Sequence, residues 1–113
     1  MSNKKTKLKI NKFDNLYGGK AHPSLIYEKT KFKTYKSLKF GTTKTKHTTE
    51  INPIQKGVER SYVNNRPFEG TRKDYGDREL LGLQINPKDI STINQIKKKQ
   101  PHKTARAKRR YVK

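Results

Sequence analysis

The sequence predicts a mainly β chain with one C-terminal helix, a small and strongly bent sheet or barrel flanked by basic disordered tails. Three observations predict it. Short apolar and β-branched runs alternate with Gly, Pro and Asn breaks between residues 17 and 85. The apolar period then lengthens to three residues at Ile90, Ile93 and Ile96. Both ends are rich in Lys and Arg and hold no Asp or Glu.

At 113 residues the chain has room for one domain. Its organisation reads as a basic N-terminal tail or edge strand over 1–16, a barrel plus helix over 17–99 and a basic C-terminal tail over 100–113. Within 1–16, Leu8 and Ile10 alternate with lysines, the pattern of a solvated tail or a short edge strand. Tyr17-Gly18-Gly19 is a strong break. Pro23-Ser24-Leu25-Ile26-Tyr27-Glu28 is the most apolar stretch and reads as a central strand.

Residues 32–40 form the clearest period-two segment, with Phe32, Thr34, Lys36, Leu38 and Phe40 on one parity. Tyr35 falls on the other parity and is expected on the exposed face. Gly41 ends this strand. His47–Ile51 reads as a second polar strand closed by Asn52-Pro53, and Arg60–Asn64 as a third, closed before Pro67. Asp74-Tyr75-Gly76-Asp77 is a turn, and Leu80–Ile85 a last short strand.

The helix is predicted over 87–99. Asn86 suits the N-cap, Pro87 the first helical position and Asp89 the positive end of the helix dipole. Lys97, Lys98 and Lys99 place positive charge at the last turn, and Pro101 stops the helix. Beyond Pro101 the sequence offers nothing evident to bury.

The charge narrows the partners. The net charge of +20 divides into +5 over residues 1–12, +9 over 97–113 and +6 between them, where all nine acids fall. Self-repulsion of that size works against compaction unless a polyanion neutralises it, so nucleic acid, RNA or DNA, is the expected partner. Hydrophobic content of 28% against 34% charged residues leans the composition towards disorder.

Several classes are disfavoured. Without cysteine there are no disulfides and no Cys-based zinc or redox chemistry. No apolar run approaches the ~18 residues of a membrane span, and no secretory core follows the basic N-terminus, so a cytoplasmic location is expected. A polybasic lipid-binding reading of Lys97–Lys99 and Arg106–Arg110 lacks an amphipathic helix with large exposed apolar residues. His22, His47 and His102 have no regular spacing, so no metal and no cofactor is expected. Neither a phosphate-binding Gly loop nor a Ser nucleophile elbow occurs.

Aromatic residues interleaved with basic ones are better represented, an arrangement that stacks bases while neutralising phosphates. The candidate nucleic-acid-binding residues are Lys20, Lys33, Tyr35, Lys44, Lys46, Arg66, Arg72, Lys97, Lys98, Lys99, Arg106, Arg109 and Arg110.

The order of motifs carries one resemblance. His22-Pro23-Ser24-Leu25-Ile26 looks like an Arg-Pro before an apolar strand. Phe40-Gly41-Thr42-Thr43 looks like a strand ending near Thr or Ser, and Ser61-Tyr62-Val63 like a Ser-hydrophobic-Val strand. Arg66 to Leu83 resembles a polar connection reaching a Leu-Gly segment, and Ile85–Ile90 a helix start. In that order they resemble the MazF/PemK toxin family over about residues 17–98.

The resemblance implies an SH3-like barrel, an endoribonuclease that cuts single-stranded RNA without a metal, a homodimer and an antitoxin partner. It implies catalytic roles for His22 and for Thr42 or Thr43. His22 departs from the family's Arg. A histidine can act as general acid or base at neutral pH. Loss of the guanidinium equally fits a non-enzymatic RNA- or DNA-binding protein, such as a phage, mobile-element or ribosome-associated factor.

Overall fold

The computed structural model of the chain describes residues 8–10, 13, 16–18, 22–76, 80 and 82–111. Two antiparallel strands, β1 (Ser24–Lys29) and β2 (Thr34–Gly41), organise the rest. Leu25 pairs with Leu38 and Ile26 with Ser37, so successive pairs face opposite sides of the sheet. Glu28 pairs with Lys36, which leaves Tyr27 as an extra residue in a β-bulge.

The other edge of β2 carries β4 (Ser61–Asn64) and then β5 (Phe68–Thr71), both antiparallel to it. Phe40 faces Val63 and Ser37 faces Phe68, so the sum of paired numbers shifts by two between the segments. Residues 61–71 thus run as one bent strand interrupted at Asn65-Arg66-Pro67. Proline has no N–H for a ladder, which explains the break. β3 (Thr48–Ile51) covers the outer edge of β4, and β6 (His102–Lys103) lies parallel on the outer edge of β5.

The chain is mainly β, and its six strands form an open sheet. Irregular segments attach to it through backbone hydrogen bonds. Tyr17 and Ser24 exchange bonds of 2.9 and 2.8 Å, and Leu80 N–H donates to Leu16 O at 2.7 Å. Gln84 N–H donates to Ile54 O at 2.8 Å. The expected strand over 80–85 is reduced to a single bridge, Leu83 to Gln55, among the described residues.

Both faces of the β1–β2 ribbon are covered. Leu25, Leu38, Phe40, Ile51 and Val63 form the main core, closed by Ile93 and Ile96 of α1 (Ile90–Lys97). Fully burying such side chains contributes ~1.5–3 kcal/mol each relative to exposure. The opposite face packs Ile26 against Leu8, Tyr17 and Tyr75. Leu8 and Leu16 are buried, so these parts of the expected N-terminal tail belong to the folded body.

Tyr35 is therefore not on an exposed face. It is half-buried, edge-on to Tyr75 with ring centroids 6.2 Å apart, and its carbonyl accepts from Tyr75 Oη at 2.9 Å. Phe32 also departs from expectation. It precedes β2 in the Thr30–Lys33 turn, where Lys33 has φ of 61°, and it is the exposed large apolar residue of the described chain at 43%.

The helix expected over 87–99 appears as a 3-10 turn over Pro87–Asp89 leading into α1. Asn86 caps it as predicted, its side chain accepting from Lys88 N–H at 2.9 Å. Asp89 does more than face the helix dipole: buried, it accepts from Asn52 N–H at 2.9 Å and from Asn52 Nδ2. That bond ties the helix start to the end of β3.

The C-terminal segment corrects the sequence expectation most clearly. Residues expected as a disordered tail with nothing to bury form β6 and a second helix, α2 (Ala105–Tyr111). His102 N–H donates to Pro67 O at 2.8 Å and Thr104 N–H to Glu69 O at 2.9 Å. Ala107 is completely buried. A free sheet edge offers backbone partners, and Ala107 together with bonds from Thr104 and Arg106 to Asp74 seats the helix.

Candidate nucleic-acid interface

The pairing of β1 with β2 places the residues before one strand beside those after the other. Phe40 N–H donates to Pro23 O at 3.0 Å, which sets His22 against Gly41. The imidazole fills the space above that glycine: a Cβ there would stand 3.3 Å from His22 Nδ1. His22, Pro23, Gly41, Thr42 and Thr43 form one wall of a cleft of about 230 Å3. Ile54, Gln55, Val58, Ser61 and Leu83 form the other. Residues twenty apart in sequence thus meet in one place.

A second cleft of about 440 Å3 shares His22, Gly41 and Thr43 with the first and extends past Lys39, Tyr62 and Asn64 to Phe68. A third, of about 610 Å3, shares Asn64 and Phe68 with the second. His47, Asn65, Arg66, Lys99, Gln100 and His102 complete it. The three clefts therefore adjoin one another through shared residues, and together they are termed the groove. Among the described residues lining it there is no carboxylate.

The groove holds aromatic as well as cationic groups. Lys39 Nζ lies 4.6 Å from the Phe68 ring centroid, a cation–π distance. His102 stands edge-on to the same ring, with centroids 5.9 Å apart and planes at 88°. All three histidines of the chain line the groove, although their sequence spacing shows no pattern. Among the described residues no group of three or more His, Asp or Glu could hold a metal ion.

The basic candidates divide. Arg66 and Lys99 line the groove, and Lys44 and Lys46 are exposed on the loop between Thr43 and His47. Lys98 and Arg109 are exposed on the helical segments. Lys33 sits on the β1–β2 turn, about 25 Å from Gly41 along eight residues of strand. Lys20 and the Arg110 side chain lie outside the described residues.

Three candidates have structural partners. Arg72 Nη1 donates to Tyr75 O at 3.0 Å and holds the turn after β5. Arg106 Nη1 meets Asp74 Oδ1 at 2.7 Å. Lys97 Nζ lies over the rings of Phe13 and Tyr27, at 4.6 and 5.4 Å from their centroids. Burial there lowers the Lys97 ammonium from its ordinary value. Burial, aided by the charges of Glu28 and Glu69, pushes the Tyr27 hydroxyl up to about 12.

Sequence reasoning counts Phe68 among the aromatics interleaved with basic residues but misses Lys39, His47 and His102 as groove residues. Phe68 and His102 meet only because β6 joins β5, a long-range pairing with no local signal. No helix among the described residues is long and apolar enough to cross a membrane. No protein-family model, curated protein or solved structure matches the chain.

Proposed function

We propose that the chain is a nucleic-acid-binding protein of MazF/PemK-like toxin type, which binds single-stranded RNA in this groove and cleaves it without a metal. The observation that carries the reading is the shared cleft of His22 with Thr42 and Thr43. The basic, carboxylate-poor groove running on from it supports a polyanionic ligand. On this reading the bonds from Leu16, Tyr17 and Ile54 to the segments beside them would close an SH3-like barrel.

The chemistry is an intramolecular displacement. The His22 imidazole takes the proton of a ribose 2′-OH, and the oxygen attacks the adjacent phosphorus as the bond to the 5′-oxygen breaks. The leaving oxygen, on the far side of the phosphorus, takes a proton from water, and the imidazolium releases its own to solvent. The products are a 2′,3′-cyclic phosphate and a free 5′-OH. A Thr42 or Thr43 hydroxyl donates to a non-bridging phosphate oxygen and offsets the charge that develops there. A homodimer and an antitoxin partner belong to this reading through the resemblance alone.

A second reading is a non-enzymatic RNA- or DNA-binding protein. It is favoured by the fourteen basic residues of the two end segments, whose sequences contain no Asp or Glu, and by His22 standing where the family has Arg. One experiment separates the two. Mixed-sequence single-stranded RNA is incubated with the purified protein in EDTA, beside His22→Ala. Cleavage by the wild type and its loss in the variant supports the nuclease. Binding without cleavage supports the second reading, and equal cleavage by both proteins removes His22 from the chemistry.

A further inference from the structure

The far end of the groove has the composition of a nucleotide site rather than of a general basic surface. Phe68 is half-buried and the ring of His102 is exposed. Their planes meet at 88°, so the two rings make a corner. A planar base laid on one ring presents its edge to the other. The cation at that corner is Lys39, already positioned over the Phe68 ring.

Around the corner stand groups of two further kinds. The amides of Asn64, Asn65 and Gln100 supply donors and acceptors suited to base edges. Arg66 and Lys99 are exposed cations suited to phosphate. The volume, about 610 Å3, falls within the usual range for a small-ligand pocket. Four separate elements build it: the start of β3, the β4–β5 interruption, the end of α1 and β6. The backbone bond from His102 N–H to Pro67 O holds the imidazole in place, so the site depends on the C-terminal segment being docked.

We propose that this corner is a base-stacking subsite for single-stranded RNA, holding a nucleotide next to the one at His22. Phe68 and His102 stack or flank the base, and Arg66 and Lys99 bind its phosphate. The subsite rests on the RNA-binding reading above and extends it. It gives the groove a direction, from the His22 cleft past Phe68 to β6, and makes the C-terminal strand a part of the binding surface.

The test uses the full chain and fluorescently labelled oligoribonucleotides of two to six residues, with a 2′-deoxy block at the scissile position. Anisotropy is measured for wild type, Phe68→Leu, His102→Ala and the pair Arg66→Gln and Lys99→Gln. Loss of one stacked base predicts about five- to 150-fold weaker binding for Phe68→Leu and His102→Ala. The charge variants should flatten the log–log salt dependence by roughly 0.7 for each phosphate contact removed.

The gain in affinity from a second or third nucleotide should vanish in His102→Ala. Because His102 is exposed, that variant decides the matter even if Phe68→Leu fails to fold. Unchanged affinity in His102→Ala, with the wild type binding normally, would overturn the subsite and leave RNA binding intact. A wild-type protein that binds no oligonucleotide would overturn the RNA reading itself, and the subsite with it.

Discussion

The Asp74 carboxylate accepts a 2.7 Å hydrogen bond from Arg106, thirty-two residues further along the chain. The same carboxylate accepts from Thr71 N–H at 2.8 Å and from Thr104 Oγ1 at 2.9 Å. It therefore joins the turn after β5 to both β6 and α2. Thr104 in turn caps α2, its Oγ1 accepting from Ala107 N–H at 3.2 Å. Asp74 thus adds side-chain bonds to the backbone pairing of β6 and the buried Ala107 in docking the C-terminal segment that carries His102.

Asp74→Ala should loosen the C-terminal segment before it unfolds the sheet. The Arg106 side chain is 42% exposed, so the ion pair alone contributes little. The hydrogen bonds from Thr71 and Thr104 carry more, and the whole loss is about 2 kcal/mol. Amide hydrogen exchange over 102–111 should accelerate, while β1 and β2 keep their protection. Uniform acceleration across the chain would show instead that α2 and the sheet unfold together.

The same carboxyl gives a pH dependence of known sign. Burial pushes its pKa upward, but the hydrogen bonds from Arg106, Thr71 and Thr104 outweigh that and hold it below the usual value. A group depressed on folding stabilises the fold above its unfolded pKa, near ~3.9 for aspartate. That contribution is lost as pH falls through the lower folded value. Exchange protection of α2 should therefore hold at neutral pH and decline below about pH 4. Asp74→Asn should remove this step, and a step that survives in Asp74→Asn would assign it to another acid.

What the sequence revealed followed the range of the interactions. Asn86, Pro87 and the Ile93/Ile96 stripe act within a few residues, and their helix appears with its cap as read. β1 and β2 were also legible, because Leu25 and Leu38 sit in dense apolar or alternating runs. Tyr35 was misread because its side of the strand looks polar from within 32–40. The cover, Leu8, Tyr17 and Tyr75, comes from distant segments. The docked C-terminus was hidden for the same reason: its partners are the edge of β5 and Asp74. Of the groove, the sequence named His22, Thr42 and Thr43 but left their spatial relation open, because it depends on the β1–β2 pairing. The Phe68–His102 corner depends on the longer-range pairing of β5 with β6.

Gly76→Ala should destabilise the fold severely. Gly76 N–H donates to Gly18 O, and a Cβ built on Gly76 would fall far inside van der Waals contact with that carbonyl. Backbone cannot swing aside as a flexible side chain does, so the 16–18 segment must separate from the turn after β5. Tyr17 would then leave the second core, where it is completely buried with Leu8 and Ile26. A loss of 3 kcal/mol or more is expected, in the range of other disruptions that open a packed face. Thermal unfolding measures it directly, and a melting temperature within a few degrees of wild type would mean that the backbone can separate there at little cost.

Gly41→Ala probes the chemistry rather than the fold. The added Cβ would stand 3.3 Å from His22 Nδ1, close enough that the imidazole must move by a few tenths of an ångström. His22 is exposed and can yield, so melting should change little. Catalysis is less forgiving, since a ~1 Å displacement of a reacting group can cost ~100-fold in rate. Cleavage of single-stranded RNA should fall by about tenfold on that scale, with affinity for a non-cleavable oligonucleotide held within about twofold. Parallel losses of binding and cleavage would indicate that His22 contacts RNA without acting on it, and an unchanged rate would place the reacting phosphate away from the imidazole.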